Sequence, residues 1–416
     1  MKILDELKGR GIKPGLETIA ALLRRLGDPQ LSFRSVHIAG TNGKGSVASM
    51  LREMLVRAGF KTALYTSPHL HRFSERIVIN HEEIPEADIE RLEDEVAKAL
   101  SGLEPTYFEF TTAMAFMYFA EQKPDIAVIE VGLGGRLDAT NLVDSLVAVI
   151  TPLSIDHPEF LGPDIRSMAY EKAGIIKPGR PVVVSRQPPE AVELITNTAA
   201  SLDAPLYMEG RDFSAGDEKY PAFNFRGRRL AFDKLRCGLL GRRQAQNSAV
   251  ALAAAEVIEE AGFKIGEQAM REGVRNVRWP ARMELIATNP QIVIDGAHNV
   301  GGALVLSREM PEEFPGKPAH LLMGMQVTKD LSGFIETLAP AIAMVHAVPI
   351  REVQCFSPDQ IAAQAHKAGL PSRAYGSVRE GLDGAMAAAK KDKGIVLAAG
   401  SLYLAGEVGE LVNDGA

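Results

Sequence analysis

VHIAGTNGKGS, residues 36–46, is the stretch that decides the fold of this 416-residue chain. A short apolar run ends in a glycine-rich turn, and Lys44 and the hydroxyl of Ser46 follow it. Residues 48–60 then have the apolar spacing of a helix. A strand, a glycine-rich loop, a lysine and a helix commonly hold nucleotide phosphates, because loop N–H groups and a helix N-terminus attract anions. The segment therefore predicts a nucleotide-binding site on an α/β domain.

The loop departs from the strict Walker pattern at two positions. Ile38 stands where that pattern has its first glycine, and Gly45 stands where it has a serine or threonine. The first hydroxyl after the lysine comes one residue later, at Ser46. The alternative interpretation is a glycine-rich strand-to-helix turn that carries an exposed lysine, so the remainder of the chain has to decide between the two.

Length, charge and cysteine content limit the classes of protein to consider. A chain of this length is too long for a single core, which predicts two domains. The net charge of −7 argues against a protein that binds nucleic acid by broad phosphate neutralisation. The two cysteines, Cys237 and Cys355, are too far apart in sequence to indicate a disulfide framework or a metal site. We expect a cytoplasmic protein without a signal peptide or membrane span, and a monomer.

Strand-like runs alternate with helical patterns, which predicts parallel sheets covered by helices. A charged stretch, residues 211–236, separates two series of strands and predicts a small β excursion. An alanine-rich helix at 244–261 follows it, and Trp279-Pro280-Ala281 marks the boundary between domains 1–280 and 281–416. The predicted strands are 36–39, 62–65, 126–131, 146–151 and 181–185 in the first series, and 292–295, 320–323, 344–348 and 394–398 in the second.

Residues 40–46 resemble the ATP-binding loop of the Mur ligase superfamily, and the Gly-Ser ending resembles its folate branch of folylpolyglutamate and dihydrofolate synthases. Matching motifs extend from about residue 15 to about residue 407. The resemblance implies a P-loop ATP-binding domain with a mostly parallel sheet and a smaller Rossmann-like α/β C-terminal domain. It also implies ATP as a substrate and two Mg²⁺ ions. The implied phosphate-binding residues are Asn42, Gly43, Lys44, Gly45 and Ser46.

Three residues at strand ends are candidate metal ligands. Glu130 ends an apolar strand, and Mg²⁺ prefers hard oxygen ligands of this kind. Ser67, in the string Thr66–Leu70, follows another strand, although a serine before a proline is commonly only a turn residue. His157 follows Asp156 after a third strand. The family resemblance implies that Ser67, Glu130 and His157 bind Mg²⁺, and the string Glu130–Asn141 is its strongest match.

Lys172, in Glu171–Ile175, has a plain interpretation as part of a solvated helix face. The resemblance implies instead that CO₂ carbamylates this lysine, which turns a cation into an anion suited to a Mg²⁺ site. It further implies that Asn247 and Asp295 contact the nucleotide and Arg282 the phosphates. His298, in Asp295–Asn299, and Ser401 then face glutamate. The implied catalytic residues are Lys44, His157, Lys172 and Arg282.

The family pattern is broken at several of these positions. Arg243 stands where a histidine is usual and Ala281 where a glycine is usual, so the contacts around Asn247 and Arg282 are open. Val300 replaces a usual proline, and Lys329-Asp330 matches the family without an assigned role.

A pterin ring needs flat apolar neighbours, and Phe108 in the segment 106–109 is a candidate, with ordinary packing in a helix core as the alternative. The segment Lys13–Glu17 resembles a pterin-contacting loop of the family. The alternative interpretation is a plain Pro-Gly turn. Residues 137–141 resemble the dihydropteroate site of bifunctional enzymes. The candidate pterin and folate residues are Gly15, Leu16, Thr106, Phe108, Leu137, Asp138 and Ala139.

The predicted function is ATP-dependent ligation of L-glutamate to dihydropteroate, to the glutamate tail of folates, or to both, through an acyl phosphate. A cell-wall Mur ligase is one alternative, but the chain has no room before Val36 for a separate UDP-binding domain. A P-loop regulator without ligase activity is another, but it would not need His157, Lys172 and Asp295–Asn299 together. The predicted partners are small molecules only, with neither nucleic acid nor membrane among them.

Overall fold

The computed structural model describes residues 2–8, 11, 13–217, 220–351 and 354–413. The described strands are β1 (Ser35–Ala39), β2 (Thr62–Tyr65), β3 (Ile77–Ile79), β4 (Glu82–Glu83), β5 (Ile126–Glu130), β6 (Ser145–Ile150), β7 (Val182–Val184), β8 (Leu206–Met208), β9 (Ser214–Asp217), β10 (Ala222–Arg226), β11 (Ala231–Arg236), β12 (Glu284–Thr288), β13 (Gln291–Ile294), β14 (Ala319–Met323), β15 (Met344–Ala347), β16 (Ser372–Ala374) and β17 (Ile395–Ala399). The predicted strands of both series are confirmed to within one or two residues, and β9–β11 confirm the β excursion.

Helices connect most of these strands. The described α-helices are α1 (Lys2–Leu7), α2 (Glu17–Arg25), α3 (Lys44–Arg57), α4 (Glu86–Leu100), α5 (Tyr107–Gln122), α6 (Pro158–Leu161), α7 (Ile165–Ala173), α8 (Pro189–Ser201), α9 (Arg243–Glu260), α10 (Glu267–Asn276), α11 (Val300–Glu313), α12 (Leu331–Leu338), α13 (Pro358–Lys367), α14 (Val378–Asp392) and α15 (Leu402–Asn413). Among the described residues, no helix is long and apolar enough to cross a membrane.

The helix after the phosphate loop begins four residues earlier than predicted, at Lys44 rather than Ala48. Gly43 is its N-cap, with φ at 90° in the left-handed region that glycine adopts without a steric penalty. The helix can therefore start directly at the lysine, which places Lys44, Gly45 and Ser46 in its first turn. Its apolar spacing begins only at Val47 because the first turn faces the loop, and this explains the error of the prediction.

The chain divides into two compact units. The first comprises Met1–Leu153, Leu161–Gly238 and Ala245–Val277, and the second comprises Ser154–Phe160, Leu239–Gln244 and Arg278–Ala416. The short segments at 154–160 and 239–244 belong to the second unit although they precede residue 281 in sequence. The predicted boundary between residues 280 and 281 stays a prediction.

In the part of the first unit that is described, the main sheet has eight strands in the order β4-β3-β2-β5-β1-β6-β7-β8. From β2 to β8 neighbouring strands run parallel, whereas β3 and β4 add an antiparallel edge. β1 is fully buried between β5 and β6, as expected for a central parallel strand with a continuous apolar run. Because parallel strands end at the same edge, Gly40, Ser67, Glu130 and Thr151 all lie at the carboxyl edge of this sheet.

Two apolar clusters pack helices against the main sheet. One joins β2 and β5 to α2, α4 and α5, with Tyr65, Phe110 and Phe116 fully buried in it. Another joins β6 and β7 to α7 and α8. Burial of this apolar surface is the main favourable term that holds the edge residues in place.

Among the described strands of the second unit, six form one sheet in the order β12-β13-β17-β14-β15-β16. All neighbouring pairs are parallel except β12 and β13. Asp295 directly follows β13 and Ser401 comes two residues after β17, so both lie at the carboxyl edge of this second sheet. The two mostly parallel sheets, each with helices between its strands, confirm the predicted α/β fold class.

Candidate active site

In the phosphate loop, defined as Gly40–Ser46, two glycines lie where a residue with a side chain would clash with a neighbour. A Cβ on Gly40 would clash with the hydroxyl of Thr151, and a Cβ on Gly43 would lie 2.7 Å from Asn247 Oδ1. The backbone N–H groups of Thr41 and Asn42 donate to the carbonyl of Pro152. Asn247, predicted to contact the nucleotide, therefore lies against the loop although it is about 200 residues further along the chain.

Lys44 lies over the loop that precedes it. Its Nζ donates to the carbonyl oxygens of Gly40 at 3.1 Å and Thr41 at 3.3 Å. The side chain is half-buried, and neither partner carries a formal charge. The ammonium can therefore exchange these two carbonyls for phosphate oxygens without breaking an ion pair.

Ser67 and Glu130 are neighbours, as predicted from their places at the ends of β2 and β5. The Ser67 N–H donates to Glu130 Oε2 at 3.3 Å, and the Glu130 carboxylate is 5% exposed. Ser46 Oγ, on the adjacent first turn of α3, is buried and has no hydrogen-bond partner among the described residues. A carboxylate and two hydroxyls at one sheet edge are the hard oxygen donors that Mg²⁺ takes, with water completing its shell.

No group of three or more histidine, cysteine, aspartate or glutamate side chains in the described residues is close enough to form a metal site by protein ligands alone. Mg²⁺ usually keeps several waters and needs only one or two carboxylates plus phosphate oxygens, so this agrees with the donor set of Glu130, Ser67 and Ser46. These residues fit the ion. The assignment of Ser67 and Glu130 as ligands stays a prediction.

The loop after β5, residues 131–142, packs against α7. The Arg136 N–H donates to the Glu171 carbonyl, and the Arg136 guanidinium pairs with the Glu171 carboxylate at 2.8 Å. A Cβ on Gly135 would lie 3.2 Å from the Cα of Lys172, so the lysine backbone is directly under the loop. Lys172 is 4% exposed, which excludes the solvated helix face considered from the sequence.

The candidate pterin residues meet the same loop. The Phe108 ring stacks on Tyr65 at 6.0 Å between centroids, and a Cβ on Gly132 would clash with it. Asp138 is buried, and this burial raises the pKa of its carboxyl group above the usual value. Four hydrogen bonds to the carboxyl group act in the opposite direction but do not cancel the effect of burial. Thr106 caps α5 in a capping box with Glu109, so its hydroxyl already has a structural role.

The other candidates of this group have the following positions. Gly15 has φ at 150°, and Leu16 immediately precedes α2. Leu16 and Phe108 both pack on the apolar cluster that contains Ala139. Leu137 is half-buried.

In the second unit, Asp156 is the centre of a polar cluster. Lys329 Nζ donates to Asp156 Oδ1 at 2.6 Å and to His157 Nε2 at 2.9 Å. His298 Nε2 lies 3.5 Å from Asp156 Oδ2. Burial would raise the pKa of Asp156, but the hydrogen bond and charge of His298 and the charge of Lys329 together hold it well below its usual range.

His157 adopts a left-handed φ of 51° in this cluster. Burial lowers its pKa first and the Lys329 ammonium lowers it further, so the neutral imidazole is favoured. A neutral imidazole is the form that binds metal, but its Nε2 accepts from Lys329 here. Lys329 joins the candidate residues through these two contacts, and the string Lys329-Asp330 is the sequence signal that points to it.

The loop after β13 gathers the remaining candidates. Asp295 accepts the N–H groups of Met283 and Ala297 at 2.8 Å and pairs with the Arg243 guanidinium at 2.5 Å. Arg243, which replaces the usual histidine, therefore contacts this aspartate directly. Burial would lower the pKa of Arg243, but the charges of Asp295 and Glu309 raise it.

Arg282, His298 and Ser401 lie around the same loop. A Cβ on Gly296 would lie 2.8 Å from Arg282 Nη1, and the Gly400 N–H, one residue before Ser401, donates to the Ala297 carbonyl. His298 Nδ1 hydrogen-bonds the Gly296 carbonyl at 2.8 Å, which directs Nε2 away from it. Ser401 Oγ accepts the Tyr403 N–H.

Ala281, which stands where a glycine is usual, has φ at 53°. This is the left-handed region, which costs an alanine about 1 kcal/mol or more. From the sequence alone this backbone geometry is open; in the structure Ala281 adopts the conformation that a glycine would adopt more readily. Its N–H donates to Glu284 Oε2, and its carbonyl accepts from both the Gly296 N–H and Arg282 Nη1.

Two known protein-family domains match this chain. Residues 38–255 match the Mur ligase middle domain, and residues 281–402 match the Mur ligase glutamate ligase domain. The dihydrofolate synthase/folylpolyglutamate synthase of Bacillus subtilis is 33% identical over 411 residues, covering 96% of this chain and 95% of that protein. The protein of the same name from Escherichia coli is 31% identical over 415 residues, covering 99% and 94%.

Solved structures also resemble this chain over nearly its whole length. The E. coli FolC structure in complex with DHPP and ADP has a TM-score of 0.92 at 31% identity, covering 100% of this chain and 97% of that one. The Mycobacterium tuberculosis folylpolyglutamate synthase complexed with ADP and AMPPCP has a TM-score of 0.93 at 32% identity, covering 99% and 97%. With both domains matched and relatives above 30% identity along its whole length, this chain belongs to the Mur ligase family, in the branch of the dihydrofolate and folylpolyglutamate synthases.

Proposed function

We propose that this protein ligates L-glutamate to dihydropteroate, to the glutamate tail of folates, or to both, with ATP converted to ADP and phosphate. The observation that carries the proposal is the carboxyl edge of the main sheet. The phosphate loop, the buried Glu130 carboxylate and the loop that faces Phe108 all meet along that edge. One sheet edge therefore carries a loop suited to phosphates, a buried carboxylate, and a flat apolar ring of the kind that packs on a pterin.

The reaction has two steps. An oxygen of the substrate carboxylate attacks the γ-phosphorus of ATP, and the bond to ADP breaks, which leaves an acyl phosphate. The amino group of glutamate then attacks the acyl carbon, inorganic phosphate leaves, and the nitrogen loses a proton. Neither step needs a nucleophilic side chain; both need alignment and neutralisation of negative charge.

The residues of the first unit are assigned to ATP and the pterin substrate. Lys44 exchanges its two carbonyl partners for outer phosphate oxygens, and its charge offsets the charge that builds up on ADP as it leaves. The N–H groups at the start of α3 add the positive end of the helix dipole. When bound, Mg²⁺ would neutralise the β- and γ-phosphate oxygens, held by Glu130, Ser67 and the unpartnered hydroxyl of Ser46.

Lys172 is assigned as the carbamylated lysine of this family. A buried ammonium costs folding free energy, whereas a carbamate would supply an anion beside the metal and phosphates. His298, Ser401 and Arg282 are assigned to glutamate and the phosphates. His298 Nδ1 hydrogen-bonds the Gly296 carbonyl and its Nε2 faces Asp156, and these two contacts fix the orientation of the imidazole toward glutamate.

The experiment is a ligase assay with purified protein, ATP, Mg²⁺ and labelled L-glutamate, run separately with dihydropteroate and tetrahydrofolate. Incorporation of glutamate with one ADP per bond is expected for at least one acceptor. With ¹⁸O in the acceptor carboxylate, one ¹⁸O atom should appear in the released phosphate. The absence of incorporation with both acceptors would refute the proposal, and incorporation only into a UDP-linked cell-wall precursor would support the alternative ligase.

A further inference from the structure

His37 is a fully buried, polar residue in the centre of β1, one of the fully buried strands of the main sheet. It lies in β1 between Val36 and Ile38 and is 0% exposed. Burial lowers its pKa to about 3, with the charge of Lys177 as a further cause, so the imidazole is neutral. A neutral histidine in this position costs folding free energy unless both ring nitrogens are satisfied.

Only one of the two ring nitrogens is satisfied. His37 Nε2 lies 2.8 Å from Thr140 Oγ1, whereas Nδ1 is buried and has no hydrogen-bond partner within the described part of the chain. An aliphatic side chain would avoid this cost in an apolar strand. The imidazole contributes one hydrogen bond, through Nε2, that an aliphatic side chain in this strand could not make.

The Asp138 carboxylate sets the direction of these hydrogen bonds. Asp138 Oδ1 accepts the Thr140 N–H at 3.0 Å and also contacts the Thr140 hydroxyl, while Asp138 Oδ2 accepts the Leu133 N–H at 2.8 Å. Since both carboxylate oxygens act as acceptors, the single hydroxyl proton of Thr140 points to Asp138. Thr140 Oγ1 must then accept from His37, so the imidazole carries its proton on Nε2, and Nδ1 is the unpaired acceptor.

This chain of bonds closes the segment Gly132–Asn141. Asp138 joins the two ends of the turn, because it accepts from Leu133 on one side and from Thr140 on the other. The Phe108 ring packs on Gly132 at the start of the segment. We propose that His37 is a positioning residue that, through Thr140, holds Asp138 and its loop in the conformation that receives the pterin end of the substrate.

The proposal rests on the proposed function for its ligand, but it makes a separate claim about the free protein. Among the described residues, the contacts that hold the phosphate loop come from Thr151, Pro152 and Asn247 rather than from His37. Loss of the His37 donor should therefore loosen residues 132–141 and weaken the pterin site, and leave nucleotide binding unchanged.

The test uses matched pairs of variants in the full-length protein. His37→Phe keeps a ring and removes the donor, whereas His37→Gln can present an amide N–H near the place of Nε2. Thr140→Val removes the hydroxyl and Thr140→Ser keeps it, which preserves the test if His37→Phe does not fold. Ile38→Val is the control for a general loss of packing in the same strand.

Two readouts are measured, and the first needs no ligand. Hydrogen–deuterium exchange of segment 132–141 should accelerate in His37→Phe and Thr140→Val and stay near wild type in His37→Gln, Thr140→Ser and Ile38→Val. The second is equilibrium binding, in which the Kd for dihydropteroate should rise about tenfold, the factor for one lost hydrogen bond, while the Kd for ADP changes less than about twofold.

Unchanged exchange in both His37→Phe and Thr140→Val would overturn the proposal. So would faster exchange with unaltered dihydropteroate binding, or equal losses for ADP and dihydropteroate. If the wild-type protein binds neither dihydropteroate nor tetrahydrofolate, the proposed function fails and the pterin ligand with it. The exchange readout then still decides whether His37 holds the loop.

Discussion

Replacing Lys44 by alanine should separate catalysis from stability. In the structure its Nζ makes two hydrogen bonds to backbone carbonyls from a half-buried position. Such bonds contribute about 1 kcal/mol net at most here, because water can replace the lysine. A cation in the first turn of α3 also opposes the helix dipole, and alanine has the higher helix propensity, which together offset part of that loss. We expect the free energy of unfolding to change by less than about 1 kcal/mol.

Activity should change far more. In the proposed reaction Lys44 is a preorganised cation at the phosphates, and the loss of one such donor costs about 2–4 kcal/mol in transition-state stabilisation. This corresponds to a fall in kcat/KM of roughly 30- to 1,000-fold. The assay is ADP release at saturating acceptor and glutamate with varied ATP, alongside thermal unfolding of the same preparations.

Lys61→Ala is the matched control. Lys61 is also a half-buried lysine of the first unit, and its Nζ donates to the backbone and side-chain oxygens of Gln122. It precedes β2 and so lies at the opposite edge of the sheet from the phosphate loop. A Lys44→Ala enzyme within about threefold of wild type, or an equal loss in Lys61→Ala, would refute the assignment of the loop.

Three further outcomes are expected. Glu130→Gln should weaken the Mg²⁺ dependence of ADP binding, measured by titrating the metal, because the site loses its buried negative charge. Lys172→Ala should lose ligase activity, and a short carboxylic acid should restore part of it by supplying an anion, whereas Lys172→Arg should stay inactive. Glu309→Gln should stabilise the protein at pH 8 relative to pH 5 by about 3 kcal/mol, measured by denaturant unfolding at both pH values.

The sign of the Glu309 effect follows from linkage. Burial raises the pKa of Glu309 to about 7, although the charge and backbone N–H of Arg243 lower it. A folded pKa above the unfolded value means that the native state binds the extra proton, so wild-type stability falls as pH rises from about 4.3 to about 7. The glutamine variant lacks this loss, and its amide oxygen can still accept the Arg243 N–H.

Each of these outcomes has a control or a contrary result. Glu312→Gln, at an exposed residue paired with Arg242, should show no such pH dependence, and a flat difference for Glu309→Gln would contradict the argument. Undiminished Mg²⁺ dependence in Glu130→Gln would remove that carboxylate from the metal site. An arginine at position 172 that works normally would count against the carbamate.

The sequence by itself determined the elements of this protein. The apolar run before Gly40 and the glycines around Lys44 specify a strand, a loop and a helix through local φ preferences and burial, which act over a few residues. The same local physics placed Glu130 and Asp295 at strand ends. The family motifs then gave the predicted ligand for each of these positions, although the roles themselves stay predictions.

Only the tertiary structure decided which of these residues meet. The strand order β2-β5-β1-β6 brings Ser67 to Glu130 and puts Gly40 beside Thr151, and no periodicity in the chain encodes that order. Helix packing brings Asn247 to Gly43. Lys329 joined Asp156 and His157 only in the folded chain, because a buried charge finds its partner across sequence distance and leaves no local pattern. The reason is physical: propensity acts between neighbours in sequence, whereas ion pairs and packing act between neighbours in space.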